Sequence, residues 1–245
     1  MTQKNGTQTF SLKSLSTEKV ILFKGLDIYL IELPEVWDEE EISNYIREYQ
    51  VTRDRDFIFY QRQINTYYVR FKNLAGEFNF CGSATLALAK MIFKEKLISE
   101  KIIHFRTKSK KCINSRLVDG RVSLELPLSK NKALGNKYFL SQTNVLIQQL
   151  TSCALNSIQL SEIKEKAEAL ISSPGAYCAF YLDRQTVHLR YFSPWYGRDE
   201  DFVTLSVLEH LGEFLHENSI YLFNQQFKYQ FFAMRTAKKI ILWEK

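Results

Sequence analysis

Two short stretches in opposite halves of this 245-residue chain follow one plan. Phe80-Cys-Gly-Ser-Ala-Thr85 ends an extended run and opens a helix, and Glu200-Asp-Phe-Val-Thr-Leu-Ser-Val207 does the same. Both set a small hydroxyl residue where the helix begins. Laying Ser83 over Ser206 lays Cys81 over Thr204. The first amides of a helix lack partners within it and the helix dipole is positive there, so each start can cradle an anion. One such start per half points to two similar lobes with a site between them.

The periodicity along the chain gives the same division. Val20, Leu22 and Phe23 before Gly25, and Ile28, Leu30 and Ile31 after it, read as two strands. Asp38 with Glu41 forms a capping box, and Ile42, Tyr45, Ile46 and Tyr49 continue at helical spacing. Residues 57–60 and 66–71 are strands rich in aromatic and β-branched side chains. A helix from Ser83 to Lys94 buries Leu86, Ala89, Ile92 and Phe93. Strands follow at 102–107, 112–118 and 122–126, with a turn at Asp119-Gly120. Pro127 to Lys137 reads as a lysine-rich crossover.

The pattern then repeats. Ser161 caps a helix carrying Ile163, Ala167 and Leu170, residues 173–175 turn, and strands follow at 177–182 and 187–192. A helix from Thr204 to His216 buries Val207, Leu208, Leu211, Phe214 and Leu215, and strands at 221–223, 230–234 and 239–243 close the chain. This order fits an α+β fold of two lobes, each a mixed sheet wrapped around a central helix, with the site in the cleft between them. The expected lobes are 1–127 and 128–225, with 226–245 as closing strands able to return to the first lobe.

Composition narrows the function classes. The chain is 45% hydrophobic and 24% charged, which is ordinary for a globular protein. No apolar run is long enough to span a bilayer and no leader-like apolar core follows the N-terminus, so a soluble, cytoplasmic protein without membrane contact is expected. The four cysteines form no Cys-x-x-Cys pair and the four histidines are scattered, so no metal site is expected. The formal charge of +6 suits a small anionic substrate. The densest basic segment, Lys108 to Arg116, offers a phosphate stripe or a solvated hairpin. The hairpin is the plainer reading, and no nucleic-acid partner is expected.

Within the first segment, Gly82 lets the backbone turn closely into the helix. The amides of Ser83, Ala84 and Thr85 are expected to point outward there. In the second, Pro194 and Gly197 bracket a turn, and Asp199, Glu200 and Asp201 precede the helix start. Acids at that place are also ordinary helix capping.

Together the segments resemble the signatures of the phenazine-biosynthesis PhzF-like family. FNFCGSATLALA is similar to its Glu-x-Pro-x-Cys-Gly-His-Ala-Thr-Leu-Ala pattern. RYFSPWYGRDEDFVTLS is similar to Arg-x-Phe-x-Pro-x-x-Gly-x-x-Glu-Asp-Pro-x-Thr-Gly-Ser. The resemblance implies a diaminopimelate-epimerase-like fold. It also implies a cofactor-independent isomerase that moves a proton on a small carboxylic acid in small-molecule or secondary-metabolite biosynthesis, and a homodimer. The family's second-signature Asp and Ser fall on Asp201 and Ser206, and its histidine falls on Ser83. Its acid/base Glu falls in the run 50–57, on Asp54 counting back from Phe57 or on Arg53 counting forward. Asp54 is preferred because it can accept a proton, with Asp56 as the fallback. Leu205 replaces the family Gly before Ser206, Phe202 replaces the Pro after Asp201, and Leu26-Asp27 replaces an Asn-Pro. Bulk at these positions implies a smaller or reshaped pocket.

The expected catalytic set is therefore Asp54, Asp201, Ser83 and Ser206, with Cys81, Gly82, Ala84, Thr85 and Thr204 lining the substrate. Asp54 shuttles the proton, Asp201 orients it or holds a substrate amine or hydroxyl, and the serines and helix amides hold the carboxylate. A second route makes Cys81 the base, its thiol activated by the helix start. The alternatives in the same cleft are lyase or cyclase chemistry, or an inactive member that binds a ligand or a protein.

Overall fold

Strand alternation decides which residues meet which helix. The computed structural model describes residues 17–23, 26–33, 38–48, 55–73, 75–95, 101–135, 137–172, 175–201, 205–215, 219–224, 230–236 and 239–244. The first half runs β1 (Thr17–Phe23), β2 (Leu26–Glu32), α1 (Glu39–Glu48), β3 (Arg55–Gln63), β4 (Thr66–Asn73), β5 (Gly76–Phe78), α2 (Gly82–Lys94), β6 (Ile102–Thr107), β7 (Cys112–Val118) and β8 (Arg121–Pro127). The second runs β9 (Lys132–Gly135), β10 (Tyr138–Leu140), β11 (Val145–Gln149), α3 (Ser152–Ser157), α4 (Leu160–Leu170), β12 (Ala176–Asp183), β13 (Thr186–Phe192), α5 (Leu208–Leu211), β14 (Ser219–Asn224), β15 (Gln230–Arg235) and β16 (Lys239–Glu244).

The pairing sequence is written twice. β2–β3 is parallel, β3–β4 antiparallel, β4–β6 parallel, and β6–β7 and β7–β8 antiparallel. β11–β12 is parallel, β12–β13 antiparallel, β13–β14 parallel, and β14–β15 and β15–β16 antiparallel. A parallel step needs a crossover. α1 and the α3–α4 pair fill the first crossover of each half, while α2 and the α5 segment fill the second. β16 then pairs antiparallel with β8, joining the two halves into one sheet path.

On β2 and β3, Ile28, Leu30, Ile58 and Tyr60 face the central core with α2, while Tyr29, Ile31, Phe57 and Phe59 face α1. In the second half, Val145, Ile147, Cys178 and Phe180 join that same central core, and Leu146, Tyr177 and Ala179 face α3 and α4. Both faces are apolar because both are covered. α2 is buried on all sides rather than along the expected stripe, since the sheet wraps it.

The capping box at the start of α1 is present. The Glu41 carboxylate accepts from the Asp38 amide at 2.9 Å, and the Asp38 carboxylate accepts from the Glu41 amide at 2.9 Å. Three expectations are corrected. The crossover at 127–137 contains β9, which pairs with β10. The cap of α4 is Gln159, which leaves Ser161 inside the helix. The continuous helix expected from Thr204 is instead a 3-10 turn at Leu205–Val207, the short α5, and a second 3-10 turn at Gly212–Phe214. Gly212 within this stretch packs closely on the crossover, since a Cβ there would lie 2.2 Å from Leu128 Cδ2. Among the described residues no helix is long and apolar enough to cross a membrane.

Candidate active site

The two segments meet. A Cβ on Gly82 would lie 2.7 Å from the Leu205 Cβ and 3.0 Å from the Ser206 amide nitrogen, so only glycine permits this approach of the two helix starts. Ser83 and Ser206 line one cavity of about 80 Å³, together with Cys81, Gly82, Asp201 and Asp56. Asn73, Tyr191, Tyr196 and Arg198 complete its polar wall.

α2 begins one residue earlier than expected, with Cys81 as its cap. This shift decides which amides are free. The Thr85 amide already donates to the Cys81 carbonyl at 3.1 Å, and the Thr85 hydroxyl donates to that same carbonyl at 2.8 Å. Both donors of Thr85 are therefore satisfied within the helix. The Ala84 amide donates to the Cys81 sulfur, and neither Ala84 nor Thr85 lines the cavity. Asp54 and Thr204 lie outside the described residues.

Among the described residues, Asp56 brings a carboxylate to the cavity beside that of Asp201. It sits on the inward parity of β3 with Ile58 and Tyr60, and is 2% exposed. Arg198 grips it in bidentate fashion, Nη2 donating to Oδ1 at 2.9 Å and Nη1 to Oδ2 at 3.2 Å. Asp201 Oδ1 stands 3.6 Å from Arg198 Nη1. The Cys81 thiol lies 3.8 Å from Asp56 Oδ2 and 3.2 Å from the Ser83 hydroxyl. Burial pushes the Asp56 carboxyl above the ordinary range, and Arg198 offsets only part of that. Burial works against the Arg198 charge, but Asp56 and Asp201 more than offset it. Burial and the neighbouring Asp56 charge push the Cys81 thiol up to about 12. The helix start does not overcome them, so the thiolate route has no support in this environment.

Arg198 was missing from the expected site, and local geometry explains its place. Pro194–Tyr196 form a 3-10 turn closed by Gly197 at φ 82°, a left-handed conformation suited to glycine. A bridge pairs Ser193 with Arg198 and turns the arginine back into the cleft. Asn73 ties this loop to the first half, its amide donating to the Tyr196 carbonyl at 3.2 Å. The neighbouring signature acid has a separate role. Glu200 accepts two bonds from Arg190, at 2.8 and 2.7 Å, and Arg190 also donates to the carbonyls of Leu155 and Ile158. The Arg190-to-Glu200 spacing thus clamps α3 to the loop, leaving Asp201 at the cavity. In sequence Arg198 stands just after a Pro-to-Gly turn and just before three acids, a context that does not single it out. Among the described residues no three His, Cys, Asp or Glu side chains converge as a metal site.

Three of the four cations of the basic segment are paired with carboxylates. Lys108 bonds Glu39 and Glu77, Lys111 bonds Glu209, and Arg116 bonds Glu125. The segment is the β6–β7 hairpin, not a free phosphate stripe.

No protein-family model and no curated protein matches the sequence. Solved structures match its fold along nearly the whole chain. A PhzF-family protein from Enterococcus faecalis shares 17% identity at a TM-score of 0.69, over 94% of this chain and 93% of that one. A PhzC/PhzF protein from Clostridium difficile shares 16% at 0.68, over 94% and 93%. A hydroxyproline epimerase from Agrobacterium vitis, solved with trans-4-hydroxy-L-proline bound, shares 9% at 0.59, over 94% and 87%. The chain therefore has the diaminopimelate-epimerase-like α+β fold. Its neighbours in that fold include PhzF-family proteins and a proline-type epimerase.

Proposed function

We propose that the chain is a divergent PhzF-like isomerase that moves a proton on a small carboxylic acid without a cofactor. The observation that carries this reading is the convergence of Asp56, Asp201, Ser83 and Ser206 on one cavity between two abutting helix starts. The fold neighbours, one of them holding an amino acid, support the same class. Asp56 takes the role assigned by sequence to Asp54. It is the buried acid in reach of a ligand, and its raised pKa moves it toward the range where a carboxyl can both take and return a proton. The Arg198 guanidinium and the first amides of α2 hold the substrate carboxylate and the enolate-like charge that develops when the proton leaves. Ser83 and Ser206 supply hydroxyls, and Asp201 fixes the arginine from its other side. A homodimer, a cytoplasmic location and a place in small-molecule biosynthesis go with this reading.

One observation favours a second reading. Arg198 already occupies both oxygens of Asp56, as in a cleft kept for binding rather than proton transfer. Deuterium separates the two. The protein is incubated in deuterated water with small amino and cyclic carboxylic acids, L-proline and trans-4-hydroxy-L-proline among them. Carbon-bound deuterium that is lost in Asp56→Asn supports the isomerase. Binding of an acid with no exchange in the wild type supports the ligand-binding module.

A further inference from the structure

The outer faces of the two halves are covered unequally. In the second half α3 and α4 lie over β11, β12 and β13, with Leu155, Ile163 and Ala167 packed on Leu146, Tyr177 and Phe192. In the first half, among the described residues, α1 alone lies there, and its Ile42, Tyr45 and Ile46 pack on β2 and β3. Over β3, β4 and β6 this leaves a cavity of about 480 Å³, larger than the cleft cavity and within the roughly 300–1,000 Å³ of small-molecule sites. Two accessible side chains stand in its wall. Tyr68 is 39% exposed, Arg106 is exposed, and the two are register partners on β4 and β6. Neighbouring strands lie about 4.8 Å apart, so ring and guanidinium rise from the sheet side by side. Leu33 and Phe59 add apolar surface.

Arg70 and Lys108 share the wall, but both are bonded to Glu39 and Glu77. Arg106 has no partner among the described residues, and none of those lining the cavity is an acid. The cavity therefore presents one uncompensated positive charge. The second half shows what the row through Tyr68 can hold. Tyr181 pairs with His188 across β12 and β13 as Gln61 pairs with Tyr68 across β3 and β4. Each pair lies two positions along from a glutamate-bonded arginine, Arg190 opposite Ala179 and Arg70 opposite Phe59. In the second half the two rings stack, with centres 4.4 Å apart and planes 2° from parallel. Gln61 supplies no ring, so Tyr68 has no aromatic partner among the described residues.

We propose that this outer cavity is a ligand site for a small planar aromatic carboxylate, its ring stacked on Tyr68 and its carboxylate held by Arg106. The missing ring and the unpaired guanidinium select that class. A second copy of the chain fits less well, because homodimer interfaces are depleted of charge at their core and this wall carries three cations. The proposal does not depend on the proton-transfer reading of the cleft.

The full chain, carrying carbon-13 in its tyrosine rings, is titrated with 2-naphthoate, 2-naphthamide and propanoate. Naphthoate should shift the Tyr68 ring signal to saturation, that signal being assigned by its loss in Tyr68→Phe. The amide keeps the rings and loses the charge, and should bind roughly tenfold more weakly, the value of one charge-assisted hydrogen bond at an open site. Arg106→Gln should bring naphthoate down to the affinity of the amide and leave the amide as it was. Tyr68→Ala should weaken both. Propanoate suits the cleft but has no ring, and should leave Tyr68 unmoved. A Tyr68 signal that naphthoate does not move overturns the site, and shifts confined to Tyr191 and Tyr196 do so by placing the ligand in the cleft. Equal affinity of acid and amide overturns it as a carboxylate site. A dimer that becomes a monomer in Tyr68→Ala gives the face to a second copy and overturns it as well. The wild-type signal serves as readout even if the alanine variant does not fold.

Discussion

The protein carries two clusters built from the same chemistry at different depths. The outer one joins Glu39, Glu77, Arg70 and Lys108 across α1, β4, β5 and the start of the β6–β7 hairpin. The inner one joins Asp56, Arg198 and Asp201 in the cleft. In the outer cluster Glu39 has a half-exposed side chain, and bonding to Lys108, helped by Lys72 and Arg70 against slight burial, holds its pKa down to about 2. In the inner cluster the same kind of pairing does not hold Asp56 down, because burial outweighs it. Depth separates the two carboxylates, since pairing holds the exposed one down while burial pushes the enclosed one up.

Four substitutions and one labelling experiment sharpen or break this contrast. Arg198→Met strands a buried carboxylate and should cost about 3–5 kcal/mol in denaturant unfolding, with most of it recovered in the Asp56→Leu/Arg198→Met double variant. The loss should grow as pH rises, because the stranded carboxyl is tolerated only while protonated. A cost near that of a surface pair means the cleft is wet and the contrast false.

His210 comes next. Its ring is held neutral in the fold, from an ordinary 6.5 down to about 3. Its stabilising contribution is thus present above the unfolded value and lost as pH falls toward the folded one. At pH 4 the wild type should have lost about 3 kcal/mol more than His210→Gln relative to pH 7, read from paired unfolding curves. The pKa of Glu209 is raised by burial against the pull of Lys111, and its effect has the opposite sign. Glu209 remains in both proteins, so it largely cancels in the difference. Parallel curves dispose of the prediction.

Gly82→Ala forces a Cβ against Leu205 and should cost about 1–3 kcal/mol, with weakened ligand binding, as overpacking does. Lys108→Ala in the outer cluster should cost less than about 1 kcal/mol and fade with salt. Iodoacetamide at neutral pH should label the exposed Cys112 and Cys153 and spare Cys81, as mass spectrometry would report. Rapid labelling of Cys81 would mean an open, hydrated helix start.

Much of the fold was legible because it rests on local rules. The Asp38–Glu41 box, the two-residue alternation of β2 and β3, and the paired helix starts each carry their own signal. β9 was hidden because Lys132–Gly135 has no alternation, and its conformation comes from the pairing with β10. The close packing of Gly212 on Leu128, within the broken second helix, is a contact distant in sequence. Ser83, Asp201 and Ser206 sit inside the two patterns, and they line one cavity. Parity with the inward Ile58 and Tyr60 does not separate Asp56 from Asp54, because both lie an even number of residues away. Arg198 could not be placed from sequence, because a charged residue beside three acids reads equally well as solvated surface.

The β8–β16 ladder bears on how the molecule is made. The partner of Glu125 to Pro127 is Lys239 to Ile241, so β8 keeps an unpaired edge until β16 has been synthesised. A nascent first half has most of its strands but an open side, the kind of surface on which chains aggregate or exchange strands. Ending translation before Lys239 should therefore give a sticky, chaperone-dependent product rather than one folded half.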